Sequence, residues 1–237
     1  MNLKIVFIFL FLIVIVFVWN RNYNNHSSEN FIVKEDLGEE KSFNELLLVF
    51  EKNYKASLVY TRRGDYQLAH KSSQESLLVW ETIYTNFKNT SLEEYENTLN
   101  WSKNLELIYE TSIRSDKLIS ENKLYEANKE LDNIRRTLRG MRRENGIENL
   151  NDQMLDFYDS FLPIILAEDK DETIKYMQNM KLEFLRLKEL NFGKERSLGI
   201  KRIEESISGI DKLIASDFRE AQKSLLVNFE DLYLITE

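Results

Sequence analysis

The chain has 237 residues, of which 43% are hydrophobic and 30% are charged, with one proline, seven glycines and no cysteine. These counts exclude collagen-like, disulfide-stapled, cysteine-ligated zinc and proline-rich disordered proteins. The net charge of -8 argues against a general nucleic-acid-binding surface, so we expect no nucleic-acid partner. With so few helix-breaking residues, the composition predicts an all-α protein with long helices.

An unbroken apolar run occupies residues 5–19 at the N-terminus. Its fifteen residues span about 22 Å as a helix, whereas a bilayer core is about 30 Å thick, so length alone leaves the assignment open. The stretch from Val16 to Asn25 has no Ala, Gly or Ser, the small residues that a signal-peptide cleavage site needs. We therefore favour an uncleaved signal anchor, with a membrane helix within residues 1–22, over a cleaved signal peptide.

The residues after the apolar run predict two further regions. Residues 23–40 are rich in Asn, Ser and acidic side chains, which is typical of a tether between a membrane helix and a folded domain. Lys4 before the apolar run favours a cytoplasmic N-terminus. Residues 41–237 would then form an all-helical domain outside the cytoplasm, in the periplasm if the source is bacterial.

Beyond residue 41 the apolar residues recur every three or four positions, which predicts about eight helices and no sheet. Short joins of similar form separate these helices in pairs. The joins are residues 63–69, 122–127, 168–174 and 216–221. The helices should therefore form four antiparallel hairpins. The large residue at the turn should pack under the partner helix, and the alanine that follows should let the two backbones approach closely. The join at 168–174 is a fainter copy that lacks the small residue. Pro163 should kink or break the helix that contains it.

Gly64, Asp65, Tyr66 and Ala69 follow one another in the first join, and the other joins match this string in part. The string resembles the middle of a tetratricopeptide repeat, where it starts the second helix. The resemblance implies a helical-hairpin scaffold that binds protein or peptide. Ala69 and Ala127 are 58 residues apart, and Ala127 and Ala221 are 94 apart, whereas a regular array repeats every ~34 residues. An irregular repeat array and a closed helical bundle are both compatible with this spacing.

The sequence offers no recognisable catalytic set. Without cysteine there is no thiol nucleophile and no thiolate metal site. His26 falls in the tether, and His70 has no Ser or Asp at a catalytic spacing. The glycines are scattered singly, so no phosphate-binding loop is present. We expect a non-enzymatic protein without metal or cofactor.

The densest unusual feature is a row of arginines near residue 140. Arg135, Arg139, Arg142 and Arg143 share one side of a helix. Guanidinium groups bind carboxylates and phosphates, so these four are candidate ligand-binding residues for a small anion. The alternative, which we favour, is that they pair with acids of neighbouring helices. The candidate acids are Glu144, Glu148, Asp152 and Asp156.

Together these patterns predict a membrane-anchored, extracytoplasmic helical scaffold that binds a protein or peptide partner. The alternative is an extracytoplasmic sensing or binding domain in which the arginine row holds a small anionic ligand. Fold analogy carries part of the first prediction, and a fold by itself specifies no function.

Overall fold

A computed structural model describes residues 41–90, 92–189, 194–213 and 218–235. Within them the helical periodicity is realised as eight long helices, with no β-strand in these ranges. The helices are α1 (Phe43–Arg63), α2 (Tyr66–Phe87), α3 (Trp101–Ser120), α4 (Leu124–Glu144), α5 (Leu150–Leu166), α6 (Lys170–Lys188), α7 (Lys194–Leu213) and α8 (Phe218–Ile235). A 3₁₀ turn at Glu93–Tyr95 lies between α2 and α3. The all-α prediction is confirmed for this part of the chain.

The predicted membrane helix (1–22) and tether (23–40) lie outside the described residues. No helix within the described ranges combines the length and the apolar character needed to cross a bilayer. Phe43–Glu237 forms one compact unit.

The first two joins between paired helices share a backbone geometry. Gly64 has φ +76°, and the amide N–H of Asp65 donates to the carbonyl of Tyr60 at 3.0 Å, which closes the end of α1. The carboxylate of Asp65 then accepts from the amide N–H of Leu68 at 3.1 Å and caps the start of α2. At the next join Asn122 takes the same left-handed conformation, with φ +57°. One short segment thus ends one helix and starts the next.

The alanines of the first two joins behave as predicted, but the first large residue does not. Ala69 and Ala127 are fully buried, which allows close approach of the paired helices. Leu124 is partly buried against the core. Tyr66, however, is 38% exposed, and its ring stacks on His70 with 5.7 Å between centroids. The prediction that it packs under the partner helix is wrong. The side chains of the corresponding pair at the last join, Phe218 and Ala221, lie outside the described set.

The helices pack as two groups of four. In the first half (residues 43–144), α1 packs against α2 and α4, while α3 packs against α2 and α4, so the four helices close a ring. In the second half (residues 150–235), α5 packs against α6 and α8, and α7 packs against α8. The two halves meet where α1 packs against α8 and where side chains of α4 reach α5. This arrangement agrees with the expectation of a helical bundle.

Candidate functional site: the arginine face of α4

The four predicted arginines all lie on the side of α4 that turns towards α5. We call Arg135, Arg139, Arg142 and Arg143 the arginine face. Opposite it, α5 carries an aspartate at positions 152, 156 and 159, steps of four and three residues that keep the carboxylates on one side of the helix. The structure therefore brings a row of cations against a row of anions.

Arg142 is the most deeply buried member, with 3% of its side chain exposed. Its Nε and Nη2 donate to the two carboxylate oxygens of Asp152 at 2.8 and 2.6 Å, and its Nη1 donates to Glu51 at 2.7 Å. Burial by itself lowers the pKa of Arg142, but the carboxylates of Asp152 and Glu51 outweigh burial and raise it. The guanidinium is therefore a fixed cation between two acids.

Arg139 and Arg143 share the next carboxylates along α5. Arg139 donates to Asp156 and, at 3.3 Å, to Asp159. Arg143 donates to both oxygens of Asp156 at 3.2 Å while its side chain stays 58% exposed. Burial and the neighbouring cation of Arg143 lower the pKa of Arg139. One aspartate thus holds two arginines together.

Arg135 completes the face in a different way. Its Nη2 donates to Asp132, one turn earlier on α4, and its guanidinium lies 4.9 Å from the ring centroid of Tyr158 on α5. Only 4% of the side chain is exposed, and its Nε has no hydrogen-bond partner. Arg135 therefore joins the halves through an aromatic ring rather than through a cross-helix carboxylate.

Acidic side chains of the protein itself thus bind all four arginines. Asp152 and Asp156 are among the acids that the sequence suggested. Glu144 instead accepts from the amide N–H of Leu99 at 3.0 Å. The sequence reasoning missed Asp159 and Glu51. The spacing of the α5 aspartates could have found Asp159, but no local pattern ties Glu51 to Arg142, which stands 91 residues later.

The buried polar cluster extends from the arginine face onto α1 and α8. Lys55 Nζ donates to Asn151 at 3.2 Å and lies 5.4 Å from the centroid of the Tyr233 ring. Asn151 in turn donates to Glu51 at 2.9 Å. Burial raises the pKa of Tyr233 to about 12, so this phenol stays neutral at ordinary pH. These contacts satisfy charges that would be costly if buried alone.

An open depression of about 350 Å³ lies beside the arginine face, lined in part by Arg143, Asp156 and Glu183. Its charged walls are already paired, since Arg186 donates to Glu183 at 2.6 Å and Arg143 donates to Asp156. A second open depression of about 300 Å³ lies between α7 and α8. Both depressions are open, and among the described residues that line them neither offers a small anion a buried, unpaired cation.

His70 and the metal-ligating residue types form no assembled site in the ranges that the structure describes. His70 Nδ1 lies 3.8 Å from the Oδ1 atom of Asp116, and neither atom has a hydrogen-bond partner. Over the same ranges, no group of three His, Asp or Glu side chains is placed to hold a metal ion.

Over the described residues, the geometry defines a helical bundle in which the arginine face of α4 is turned towards the acids of α5. Comparison of the chain with protein-family models, with curated proteins and with solved structures finds no match.

Proposed function

We propose that the protein is a non-catalytic helical scaffold that binds another protein, with residues 1–22 as its membrane anchor and residues 41–237 outside the cytoplasm. The four irregular hairpins would present one helix face to the partner, in the manner of the tetratricopeptide repeats that the joins resemble. The single observation that carries the binding role is a second apolar stripe on α6, on the side that faces away from the core.

This outer stripe is formed by Ile174, Leu182 and Leu185, which are 51%, 49% and 57% exposed. Their spacing of eight and three residues places them on one side of the helix. The opposite side of α6 is buried in the core through Met177, Met180, Phe184 and Leu187. An apolar stripe of about 16 Å on the solvent side of an already packed helix supports a role in binding.

The chemistry of the stripe favours an amphipathic helix as the partner. Such a helix would lay apolar residues, spaced three or four apart, along the outer stripe. The charges at the two ends of α6 favour one orientation of the partner helix. Asp171 lies in the first turn of α6 and Arg186 in its last turn. A partner helix with acids at its start and bases at its end would match both charges if it ran antiparallel to α6.

A photo-crosslinking experiment in the cells that make the protein tests this surface. A photoreactive residue at Gln178, between Ile174 and Leu182, should crosslink one protein. Leu185→Glu in the same chain should abolish that crosslink, since it places a charge in the contact. The matched control is the same probe at Leu107 on α3, which is 45% exposed. Equal crosslinking from both probes, or crosslinking that survives Leu185→Glu, would overturn the proposed surface.

The anchor and the compartment need a separate test. Alkaline phosphatase fused after residue 237 should be active, and a fluorescent protein that matures only in the cytoplasm should stay dark at the same position. The chain should remain in the membrane after alkaline carbonate extraction. Release into the supernatant would contradict the anchor without affecting the binding surface.

The alternative function, binding of a small anion by Arg135, Arg139, Arg142 and Arg143, has less support. An anion would have to displace carboxylates that already bind these side chains, and two of the four are almost fully buried.

A further inference from the structure

The ion pairs at the interface between the two halves of the bundle all have the same direction of charge. We call this interface the seam; α1 and α4 of the first half line one side, and α5 and α8 of the second half line the other. In every ion pair that crosses it among the described residues, the first half supplies the cation and the second half the acid. The pairs are Arg62–Glu230, Arg63–Glu230, Arg63–Asp231, Arg136–Asp159, Arg139–Asp156, Arg139–Asp159, Arg142–Asp152 and Arg143–Asp156.

Contacts between cations and aromatic rings across the seam follow the same direction. Lys55 lies over the Tyr233 ring, while Arg62 and Arg135 both lie over the Tyr158 ring, 4.8 and 4.9 Å from its centroid. Each cation belongs to the first half and each ring to the second. Tyr158 therefore contacts two guanidinium groups, and such contacts are stronger where the site is shielded from water.

The amino-acid composition of the first half does not explain this polarity. Residues 43–144 carry sixteen basic and sixteen acidic side chains, so the first half is neutral as a whole. Its cations are concentrated on the seam, where Glu51 and Asp132 are the acids of the first half that pair with them. Residues 150–235 carry twelve basic and seventeen acidic side chains. The segregation of charge is thus a property of the two surfaces that meet.

The aromatic packing is also divided between the halves. In the first half Phe43 packs against Phe87, Tyr95 and Trp101, and Phe50 packs against Trp80. In the second half the cluster is Phe157, Tyr158, Phe161, Phe184, Phe229 and Tyr233. Every ring-to-ring contact among the described residues joins two residues of the same half. Each half therefore has aromatic packing of its own.

We propose that residues 43–144 and residues 150–235 are two separately stable modules that dock through the seam and that part as intact units when its charges are mismatched. Complementary charged faces of this kind orient protein partners and exclude wrong ones. Interfaces between domains of one chain are commonly more polar than a core and permit relative motion. The connection is short, and Gly146 within it has φ +65°.

Hydrogen bonds attach the start of the connection between α4 and α5 to the first half. Asn145 donates to Thr98 at 2.7 Å and to the carbonyl of Met141 at 2.8 Å, so it is held by the first half. The amide N–H groups of Gly146 and Ile147 donate to the carbonyls of Arg143 and Arg142 at 3.2 and 3.0 Å, so they too are held by the first half. The rotation that separates the modules should therefore occur after Ile147, before the start of α5.

Energy transfer between two dyes on the full chain, in mild detergent, tests the proposal. The chain has no native cysteine, so Glu106→Cys on α3 and Lys223→Cys on α8, both exposed, place one label on each module. The reversal variant Asp156→Lys with Asp159→Lys sets cations against the arginine face. We expect a loss of energy transfer with unchanged helix content by circular dichroism.

A charge swap and a control keep the test specific. Arg136→Glu, Arg139→Glu and Arg143→Glu, added to the reversal variant, should restore energy transfer because they return opposite signs to the seam. Arg114→Glu should leave transfer unchanged, since Arg114 pairs with Glu130 within the first half at 3.3 Å. If helix content falls together with transfer, the chain is one cooperative unit and the proposal is wrong. Unchanged transfer in the reversal variant, or failure of the swap to restore it, would overturn it as well.

Discussion

Arg142 and Asp152 lie only ten residues apart in the chain, yet they face each other across the seam through two parallel hydrogen bonds of 2.8 and 2.6 Å. Both side chains are almost fully buried, and Glu51 accepts a third hydrogen bond from the same guanidinium. Paired hydrogen bonds between a guanidinium and a carboxylate fix orientation as well as distance. This contact sets how α5 lies on α4.

Removing the arginine from this contact should be strongly destabilising. Arg142→Ala leaves the carboxylates of Glu51 and Asp152 buried without their cation, and we expect the free energy of unfolding to fall by about 3–5 kcal/mol. Urea denaturation followed by circular dichroism measures this. Arg143→Ala is the matched control, because that side chain is 58% exposed, and it should cost at most about 1 kcal/mol. Equal losses would mean that burial adds nothing to the contact.

The backbone conformation of Gly64 at the end of α1 leads to a second prediction about stability. Its φ of +76° is unfavourable for a residue with a Cβ, although nothing lies within 4 Å of where that atom would be. Gly64→Ala should therefore lower the free energy of unfolding by about 1–2 kcal/mol through backbone strain alone. Asn122→Gly at the equivalent join should leave stability equal or higher, since glycine adopts this conformation without penalty. A neutral Gly64→Ala variant would show that the join rearranges.

Two glycines inside helices should respond to alanine in opposite directions. A Cβ at Gly199 on α7 would lie 2.8 Å from Cδ1 and 3.2 Å from Cβ of Leu232 on α8, which is fully buried. Overpacking there should cost about 1–3 kcal/mol, offset in part by the better helix propensity of alanine. Gly140 has open space around it, so Gly140→Ala should stabilise by about 1 kcal/mol. Thermal unfolding of the two variants side by side measures the difference.

Buried tyrosines should make the fold sensitive to alkali. Burial raises the pKa of Tyr233 from 10.0 to about 12. Between these values the unfolded chain loses the phenolic proton while the folded chain keeps it, so stability is full below pH 10 and falls as the pH rises towards 12. Tyr95, also buried, has its pKa raised to about 12 and adds to the effect.

The measurement is the free energy of unfolding at pH 9 and at pH 11. Tyr233→Phe should lose less stability over this interval than the unaltered chain does. Tyr125→Phe serves as the control, because Tyr125 is 69% exposed, and its pH dependence should match that of the unaltered chain. If both variants lose as much stability between pH 9 and pH 11 as the unaltered chain does, groups other than Tyr233 cause the loss at high pH.

Local patterns were enough to predict the helices of the described region. Apolar spacing predicted about eight helices, and the joins at Gly64 and Asn122 were visible because a turn residue and a small residue recur together. The start of α7 at Lys194 lies several residues before the apolar spacing indicated. The prediction for Pro163 is resolved only in part: α5 does not break at the proline but continues to Leu166.

Long-range pairing was not accessible from the same patterns. The arginine row was visible in the sequence, and Asp152 and Asp156 were reasonable partners because they lie on the next helix. Glu51 and Glu230 come from helices far away in the chain, and periodicity does not say which helices become neighbours. The outer stripe of α6 was missed for a related reason, since the sequence does not say which of its two apolar sides the core takes.

The closed ring of the first half has a consequence for the order of folding during synthesis. All the contacts that close it lie within residues 43–144, whereas Arg63 and Glu230 meet across 167 residues. Chains emerge from the ribosome N-terminus first, and segments with local contacts fold quickly. The ring can therefore form while α8 is still being made. Because α5 follows α4 directly, it can cover the arginine face early, whereas Arg62 and Arg63 stay without Glu230 and Asp231 until α8 arrives. During that interval, any acidic surface nearby competes with α8 for these two side chains.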